Sequence, residues 1–363
     1  MTPDAPVPPT APVPGEVLDR LSAPGRVLLL AHVYPDGDVL GSQLGLGLAL
    51  RAAGRSVVCA GHHAVPESFH FLPGAMDVQQ WKEGTPGHDL VITLDTPDPS
   101  RVGGLLEGCR GPGVRVLNID HHGDNRRYGD VNWIEPRAAA TGEMVHDLLL
   151  ALRLPLTPGV ATNLYTAIVT DTGSFRYSNT TPKTLRVAAG LVEAGADPAL
   201  IAIRLYETRR LAGLHLLGRL LQEVQTNATG TVAWLVISQA HAASPDLLEA
   251  EDFVTYPRSL RSAKVAILFR ELGGGPTVDG TAPVGRPALS PPHGGAAPSL
   301  PAAPPVPMVK VSFRSKGEVD VARIAASFGG GGHRNAAGAV IAGRLDDVRA
   351  RVLGRVEAAV TGR

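Results

Sequence analysis

Four short stretches of this 363-residue chain place acidic and imidazole side chains where an apolar run ends. They are His32, Asp36 and Asp38 in AHVYPDGD; Asp95 in VITLDT; Asp120, His121 and His122 in LNIDHH; and Asp171 in IVTDTGSF. Singly, each has an ordinary structural explanation, since Asp is frequent in Pro-Asp-Gly turns and often caps the helix after a strand. Together they do not. Five carboxylates and three imidazoles gathered at one sheet edge would repel one another and lose hydration at large cost unless cations neutralised them. Oxygen and nitrogen donors without a thiolate point first to Mn²⁺, with Mg²⁺, Co²⁺ or Zn²⁺ as substitutes. Two such ions about 3.5–4 Å apart, sharing a carboxylate, polarise a phosphoryl oxygen, generate hydroxide and stabilise in-line displacement at phosphorus. The chemistry implied is hydrolysis of a phosphate ester or anhydride.

A second set of residues suits anion binding. SFGGGGHRNAAG follows a predicted helix; its glycines, Gly331 and Gly332 among them, let backbone amides approach a phosphate, with His333 as donor or cation. On spacing alone a helix-ending loop explains the run equally well. In MVKVSFRS, strand alternation puts Val309, Val311 and Phe313 on one face and Lys310, Ser312 and Arg314 on the other. That polar face suits oligonucleotide phosphates, one of which Arg314 can hold bidentately; a solvated face is the alternative. Arg258 and Arg261, near the end of a predicted helix, are either further phosphate contacts or complements to the helix dipole. Three Trp, six Tyr and seven Phe single out no residue on which a base would stack.

These residues need elements to hold them. RVLLLAH, SVVCA, DLVITLD and VRVLNID are short apolar runs bounded by turn residues and spaced by helical stretches such as GSQLGLGLALRAAG. Such runs predict a parallel sheet covered on both faces. Ligands of open parallel sheets bind beyond the carboxyl ends of the strands, so the first three clusters converge on one crevice. Asp171, at the end of a predicted helix over 158–171, closes it from the side; further helices are expected at 138–152 and 181–194. The chain reads as α/β: a disordered leader 1–14, a doubly wound parallel-sheet domain 15–196, a helical connector 197–227 and a smaller mixed α/β domain 228–363. That second domain reads as strands TVAWLVIS, AKVAILFRE, MVKVSFRS and AGAVIAG with helices near 243–262, 320–328 and 344–360. Within it, 17 of the 36 residues 272–307 are Gly or Pro and none is aromatic. Such a segment cannot offset its ordering entropy by burial, and reads as a flexible insert, either inert or a lid.

Composition narrows the partners. With 34 basic and 34 acidic residues, no overall field draws the chain to long nucleic acid or a membrane, so an anionic ligand must be met by a local cluster. Cys59 and Cys109 form no redox or metal pair, and MTPDAPVPPTAPVP lacks the charged and apolar regions of a signal peptide. No apolar run approaches the roughly 20 residues that cross a bilayer. A cytoplasmic protein without a membrane partner is expected, and a homodimer is compatible with this composition.

HVYPDGDVLGS, the isolated Asp95 after a strand, DHH at 120–122 and TDTGSFRY resemble the four motifs of the DHH phosphoesterase superfamily, which includes RecJ-like exonucleases and family II pyrophosphatases. With GGGGHRNAAG at 329–338, the likeness is to the branch with a DHH-associated C-terminal domain, similar to nano-RNases that also dephosphorylate adenosine bisphosphate. The resemblance covers about residues 15–345 outside the insert. It implies one cation on His32, Asp36 and Asp95 and a second on Asp38, Asp95, His121 and Asp171, with Asp95 bridging. It also implies that Asp120 accepts a hydrogen bond that sets an imidazole tautomer, and that His122 faces the scissile phosphate as charge stabiliser or proton donor. No metal position departs from the family pattern, whereas the insert does. The same likeness favours the anion-binding reading of the glycine run.

The favoured function is that of an Mn²⁺-dependent exoribonuclease of the oligoribonuclease type. It removes nucleoside monophosphates from very short RNA or DNA and dephosphorylates a nucleotide bisphosphate such as 3′-phosphoadenosine 5′-phosphate. Neutrality argues against a long electrostatic track and so for short substrates. A phosphodiesterase for cyclic or linear dinucleotides shares the metal chemistry, but sensory and transmembrane segments are absent. A nucleic-acid-binding protein on a degenerate scaffold would lack ligands, and all those expected are present. Inorganic pyrophosphate suits the site less, because the glycine run and polar strand fit something larger.

Overall fold

Short apolar strands and a stripe of glycines shape the first part of the chain. The computed structural model describes residues 12–241, 252–272, 306–317 and 319–362, and the chain divides into two compact units, Met1–Thr208 and Arg209–Arg363. Unit 1 contains α1 (Gly15–Ser22), β1 (Arg26–Ala31), α2 (Gly37–Ala52), β2 (Ser56–Gly61), β3 (Gln79–Gln80), β4 (Leu90–Leu94) and α3 (Leu105–Cys109). There follow β5 (Arg115–Asp120), β6 (Val131–Ile134), α4 (Thr141–Ala151), α5 (Pro158–Asp171), α6 (Pro182–Glu193) and α7 (Pro198–Tyr206). Its six strands form one parallel sheet in the order β3-β2-β1-β4-β5-β6, the doubly wound arrangement expected of the apolar runs. Within β1, Val27 and Leu29 join the core shared with α2, α4 and α5, while Leu28 and Leu30 join a second core with Leu105 and Leu106 of α3. Both faces are therefore dry, which is why the strand sequence shows no polar alternation.

Helix starts follow local chemistry. Thr157, Thr181 and Asp197 cap α5, α6 and α7 through their side chains, each followed by a proline in the first turn. The α2–α5 contact depends on Gly37, Gly41 and Gly45, spaced one per turn. A Cβ on Gly41 would lie 2.3 Å from the Asn163 carbonyl oxygen, and one on Gly37 or Gly45 would strike Thr170 or Leu164. Their bare backbones allow a close approach that brings the start of α2 to the end of α5, and with them Asp38 to Asp171. β3 and β6 carry too few residues for a periodic signal and are not legible in the sequence.

Unit 2 contains α8 (Leu211–Gln222), β7 (Gln225–Thr226), β8 (Val232–Ile237), α9 (Thr255–Ser259), β9 (Val265–Leu272), β10 (Met308–Ser315), α10 (Val321–Ala326), β11 (Gly331–His333), β12 (Ala336–Ala342) and α11 (Leu345–Thr361). Its mixed sheet runs β11-β12-β10-β9-β8-β7, with only β8 and β9 parallel. Val309, Val311 and Phe313 pack with α10 and α11, and Lys310, Ser312 and Arg314 lie half-buried on the opposite face, as the alternation predicts. The stretch read as a connector contributes α7 to unit 1 and α8 to unit 2. The helix expected near 243–262 is observed only as α9; residues 242–251 lie outside the described residues, as do 1–11 of the leader and 273–305 of the insert. The glycine run, expected as a loop, ends in strand: Gly331, Gly332 and His333 pair with β12. No described helix is long and apolar enough to cross a membrane.

Candidate metal centre

Strand order reverses between β1 and β4, and a crevice opens beyond the carboxyl ends of strands at such a switch point. His32 directly follows β1, Asp95 directly follows β4, and β5 ends in Asp120 with His121 and His122 next. Asp36 caps α2, its Oδ1 accepting from the amides of Asp38 and Val39 at 3.1 Å each. Asp38 is buried one step inside that helix and accepts from Ser42 Oγ (3.1 Å), Thr141 N (2.7 Å) and Gly142 N (2.9 Å). The first amides of α4, which has no capping side chain of its own at Ala140, thus bond a carboxylate from α2. Asp95 holds φ at +53°, a left-handed conformation that Asp tolerates better than most residues.

The side chains converge. His32 Nε2 lies 3.7 Å from Asp36 Oδ1 and 3.6 Å from Asp95 Oδ2. His121 Nε2 faces Asp38 Oδ2 and Asp95 Oδ1 at 3.4 Å each and Asp171 Oδ2 at 3.6 Å. His122 sits beside this pair, its Nδ1 donating to Asp120 Oδ1 at 2.7 Å. Ligand atoms of His32, Asp36 and Asp95, of Asp38, Asp95 and His121, and of Asp95, Asp120 and His122 form three sets, each lying within 4.8 Å of one another and sharing Asp95.

Electrostatics shows what so dense a cluster demands. Burial and the Arg101 cation pull the His32 imidazole down, yet Asp36 and Asp95 outweigh them and raise it to about 9. Burial likewise opposes charge on His121, and Asp95, Asp171 and Asp38 lift it well above the usual imidazole range. Burial pushes Asp171 up to about 6 against the pull of His121, and burial together with the Asp95 charge holds the Asp38 carboxyl well above the usual carboxylate range. Burial resists ionisation of Asp95 too, but His121 and His32 hold its carboxyl well below the ordinary range. Protons alone must balance this charge unless cations do.

The residues fit divalent cations. His32 Nδ1 donates to the Val33 carbonyl at 2.8 Å and His121 Nδ1 to the Ala138 carbonyl at 3.0 Å, so both rings turn Nε2 toward carboxylates, as metal-bound histidines do. His32 Nε2 is buried and makes no hydrogen bond. Oxygen and imidazole donors without sulfur suit Mn²⁺, Mg²⁺ and their substitutes.

Several supporting residues carry no sequence signal. Thr141 donates through Oγ1 to Asp95 Oδ1 at 3.1 Å. Asn179 Nδ2 donates to the Ala139 carbonyl (2.9 Å) and to Asp171 O (3.2 Å) and Oδ2 (3.4 Å). Asn125 Nδ2 donates to Asp120 Oδ2 at 2.6 Å, leaving Asp120 an acceptor on both oxygens. A lone Thr or Asn reads as a helix start or a turn, so only the tertiary contact reveals them.

Unit 2 places the remaining expected residues by itself. Arg314 is half-buried, its Nη1 donating to Phe313 O at 2.9 Å, and its Nε is buried without a hydrogen bond. Arg258 Nε donates to Ser315 O at 3.1 Å and so ties α9 to the end of β10, while Arg261 is exposed. The glycines have a packing job: a Cβ on Gly330 would lie 2.1 Å from Gly338 O, and Gly332 (φ +134°) would bring one 2.6 Å from Ala336 O.

Comparison with known proteins bears on this geometry. The profile of the DHH family, N-terminal domain, matches residues 26–168, and that of the DHHA1 domain matches residues 296–360. Over 348 residues the chain is 34% identical to the bifunctional oligoribonuclease and PAP phosphatase NrnA of Thermus thermophilus, spanning 95% of this chain and 93% of that protein. The chain belongs to the DHH phosphoesterase family. In this DHH protein the N-terminal match contains every clustered Asp and His except Asp171, and the DHHA1 match contains Arg314, Gly331, Gly332 and His333 but neither Arg258 nor Arg261. A second relative, the bifunctional oligoribonuclease and PAP phosphatase NrnA of Bacillus subtilis, is 27% identical over 333 residues, 90% of this chain and 92% of that one. An exopolyphosphatase-related protein from Bacteroides fragilis shares the fold, with a TM-score of 0.74 at 22% identity over 96% of this chain and 95% of that chain.

Proposed function

We propose that this protein is a two-metal phosphodiesterase that degrades very short RNA or DNA to nucleoside monophosphates and removes a phosphate from 3′-phosphoadenosine 5′-phosphate. The observation that carries this reading is Asp95, whose Oδ2 faces His32 at 3.6 Å while its Oδ1 faces His121 at 3.4 Å. His32, Asp36 and Asp95 would hold one cation and Asp38, Asp95, His121 and Asp171 the other, with Mn²⁺ favoured by the donor set. When bound, the cations supply Lewis-acid neutralisation of charge on the phosphoryl group. The chain's own groups do the rest. Thr141 and α4 orient Asp95 and Asp38, and Asp120 holds the His122 ring by Nδ1, leaving Nε2 to carry a proton to the leaving oxygen. Arg314, His333 and the backbone of Gly331 and Gly332 bind substrate phosphate, with Arg258 and Arg261 as outlying contacts. The substrate class is supported by the Thermus and Bacillus relatives, whose names state oligoribonuclease and PAP phosphatase.

The test is a product time course on a ladder of 5′-phosphorylated oligonucleotides with Mn²⁺ and with Mg²⁺. Nucleoside monophosphates should appear fastest from the shortest members and with Mn²⁺. No release from any member would remove the reading, and faster cleavage of a cyclic dinucleotide than of its linear product would reassign the substrate.

A further inference from the structure

Strand register carries the polar face of β10 onto its neighbours in the unit 2 sheet. Lys310 stands directly opposite Arg270 of β9, while Ser312 and Arg314 stand opposite Gly338 and Ala336 of β12. The alternation that sends Val265, Ile267 and Phe269 into the core with α10 and α11 puts Arg270, itself half-buried, on the face of Lys310 and Arg314. Part of this face is closed, because Leu216, Leu217 and Leu220 of α8 pack with Leu235 of β8 and Leu268 of β9. Toward β12 it opens: Val340, directly opposite Lys310, is 49% exposed. The open strip has small residues along its middle, Ser312 and Gly338, and cations at both ends. Arg314 and His333 mark one end, Arg270 and Lys310 the other. Arg270 lies four residues along β9 from Ala266, the partner of Arg314, so at about 3.3 Å per residue the two arginines stand roughly 13 Å apart along the strands. Like charges directly opposite in an antiparallel ladder, as Arg270 and Lys310 are, cost stability, and an anion beside them offsets that cost.

We propose that Arg270 forms a second phosphate subsite on unit 2, which takes a phosphate two nucleotides away from the one held by Arg314 and His333. The inference rests on the nucleotide reading above and deepens it, because it makes Arg270 a residue that reads substrate length. The distance between the two ends of the strip exceeds one internucleotide linkage, so a 5′-phosphorylated dinucleotide reaches one end and a trinucleotide reaches both. The guanidinium of Arg270 offers a phosphate two parallel donors, and Lys310 adds charge beside it. Ser312 and Gly338 between them leave room for a sugar–phosphate chain to lie along the sheet. Such a contact is equally strong before and during the reaction, so the third nucleotide gains affinity and no turnover.

Titration calorimetry of the full chain in EDTA, with 5′-phosphorylated dithymidylate and trithymidylate, tests this without hydrolysis. The wild type should bind the trinucleotide about ten- to a hundredfold more tightly than the dinucleotide. Arg270→Ala should remove that advantage with dithymidylate affinity unchanged, and the slope of log affinity against log salt for trithymidylate should become shallower by about 0.7, one single-strand phosphate contact. Arg270→Thr, which strands favour, should behave like Arg270→Ala, which separates loss of the cation from disturbance of β9. Arg270→Lys keeps the charge without the paired donors and should keep part of the advantage. A wild type that binds both oligomers alike, an advantage undiminished in both Arg270→Ala and Arg270→Thr, or an equal weakening of both oligomers overturns the subsite. Hydrolysis of dithymidylate by the wild type in Mn²⁺ reports separately on the enzymatic reading: failure there alongside Arg270-dependent trinucleotide binding removes the reaction and supports the subsite.

Discussion

Asp95 concentrates the demands of the site in one residue. It is buried, held at positive φ, and placed between two imidazoles that keep it ionised. Asn keeps its shape and tolerates its backbone but carries no charge to share. Asp95→Asn should therefore fold normally by circular dichroism and lose roughly a hundredfold or more of its activity at saturating Mn²⁺; a rate above a tenth of wild type would contradict a bridging carboxylate. Proton linkage offers a second test. His32 rises from 6.5 to about 9 in the metal-free protein, so its stabilising contribution is complete below pH 6.5 and fades as pH climbs through about 9. A cation requires the neutral ring, so filling the site displaces that proton. Apparent Mn²⁺ affinity should rise with pH up to about 9, whereas Asp171, at about 6, adds to proton release only in more acidic solution. Calorimetry in buffers of different ionisation enthalpy should record release of at least one proton at pH 7, and none released would show that His32 is not a ligand.

At the level of elements, the site depends on how closely two helices can lie. Gly41 sits in α2, where Ala is ordinarily better by about 1 kcal/mol. Here the added methyl meets the Asn163 carbonyl at 2.3 Å, and backbone cannot swing aside. Gly41→Ala should lower stability by about 1–3 kcal/mol through overpacking and weaken Mn²⁺ binding by prising Asp38 from Asp171. Gly190 in α6 provides the contrast, since a Cβ there meets nothing within 4 Å. Gly190→Ala should stabilise by about 0.5–1 kcal/mol. Denaturant unfolding of the two variants decides the point, and equal shifts would mean that helix propensity rather than α2–α5 contact governs both.

For the whole molecule, the two units invite separate tests. Leu272 and Met308 are paired neighbours on antiparallel strands, so the chain between them can be closed by a hairpin turn of two to five residues. Replacing residues 273–305 with such a turn should leave the unfolding temperature and basal turnover close to wild type. Loss of folding would show that the segment packs, and loss confined to oligonucleotides would make it a lid. If unit 2 supplies phosphate recognition, Arg314→Ala and His333→Ala should lower dinucleotide turnover by roughly one to three orders of magnitude, as lost charge-assisted contacts that also align the substrate would. A small chromogenic phosphodiester should be affected far less. Equal losses on both substrates would contradict that division of labour.

The metal-binding chemistry and its place at the sheet edge were legible from short local runs of residues. His32, Asp95 and Asp120 each end an apolar run, and a buried parallel strand followed by an acid or imidazole is a local signal that needs no partner to be read. The alternating faces of β10 were legible for the same reason, because strand periodicity is local. Relations between distant segments emerged from the folded chain alone. Thr141 reaches Asp38 across 103 residues of chain, Asn179 joins the Ala139 carbonyl to Asp171, and Tyr34 stacks on His63. The glycine run kept two local explanations until β11 paired with β12 and pressed Gly330 and Gly332 against that strand. Residue type and period report what an element is, whereas helix packing, strand order and positive-φ turns depend on surfaces that meet only when the chain has folded.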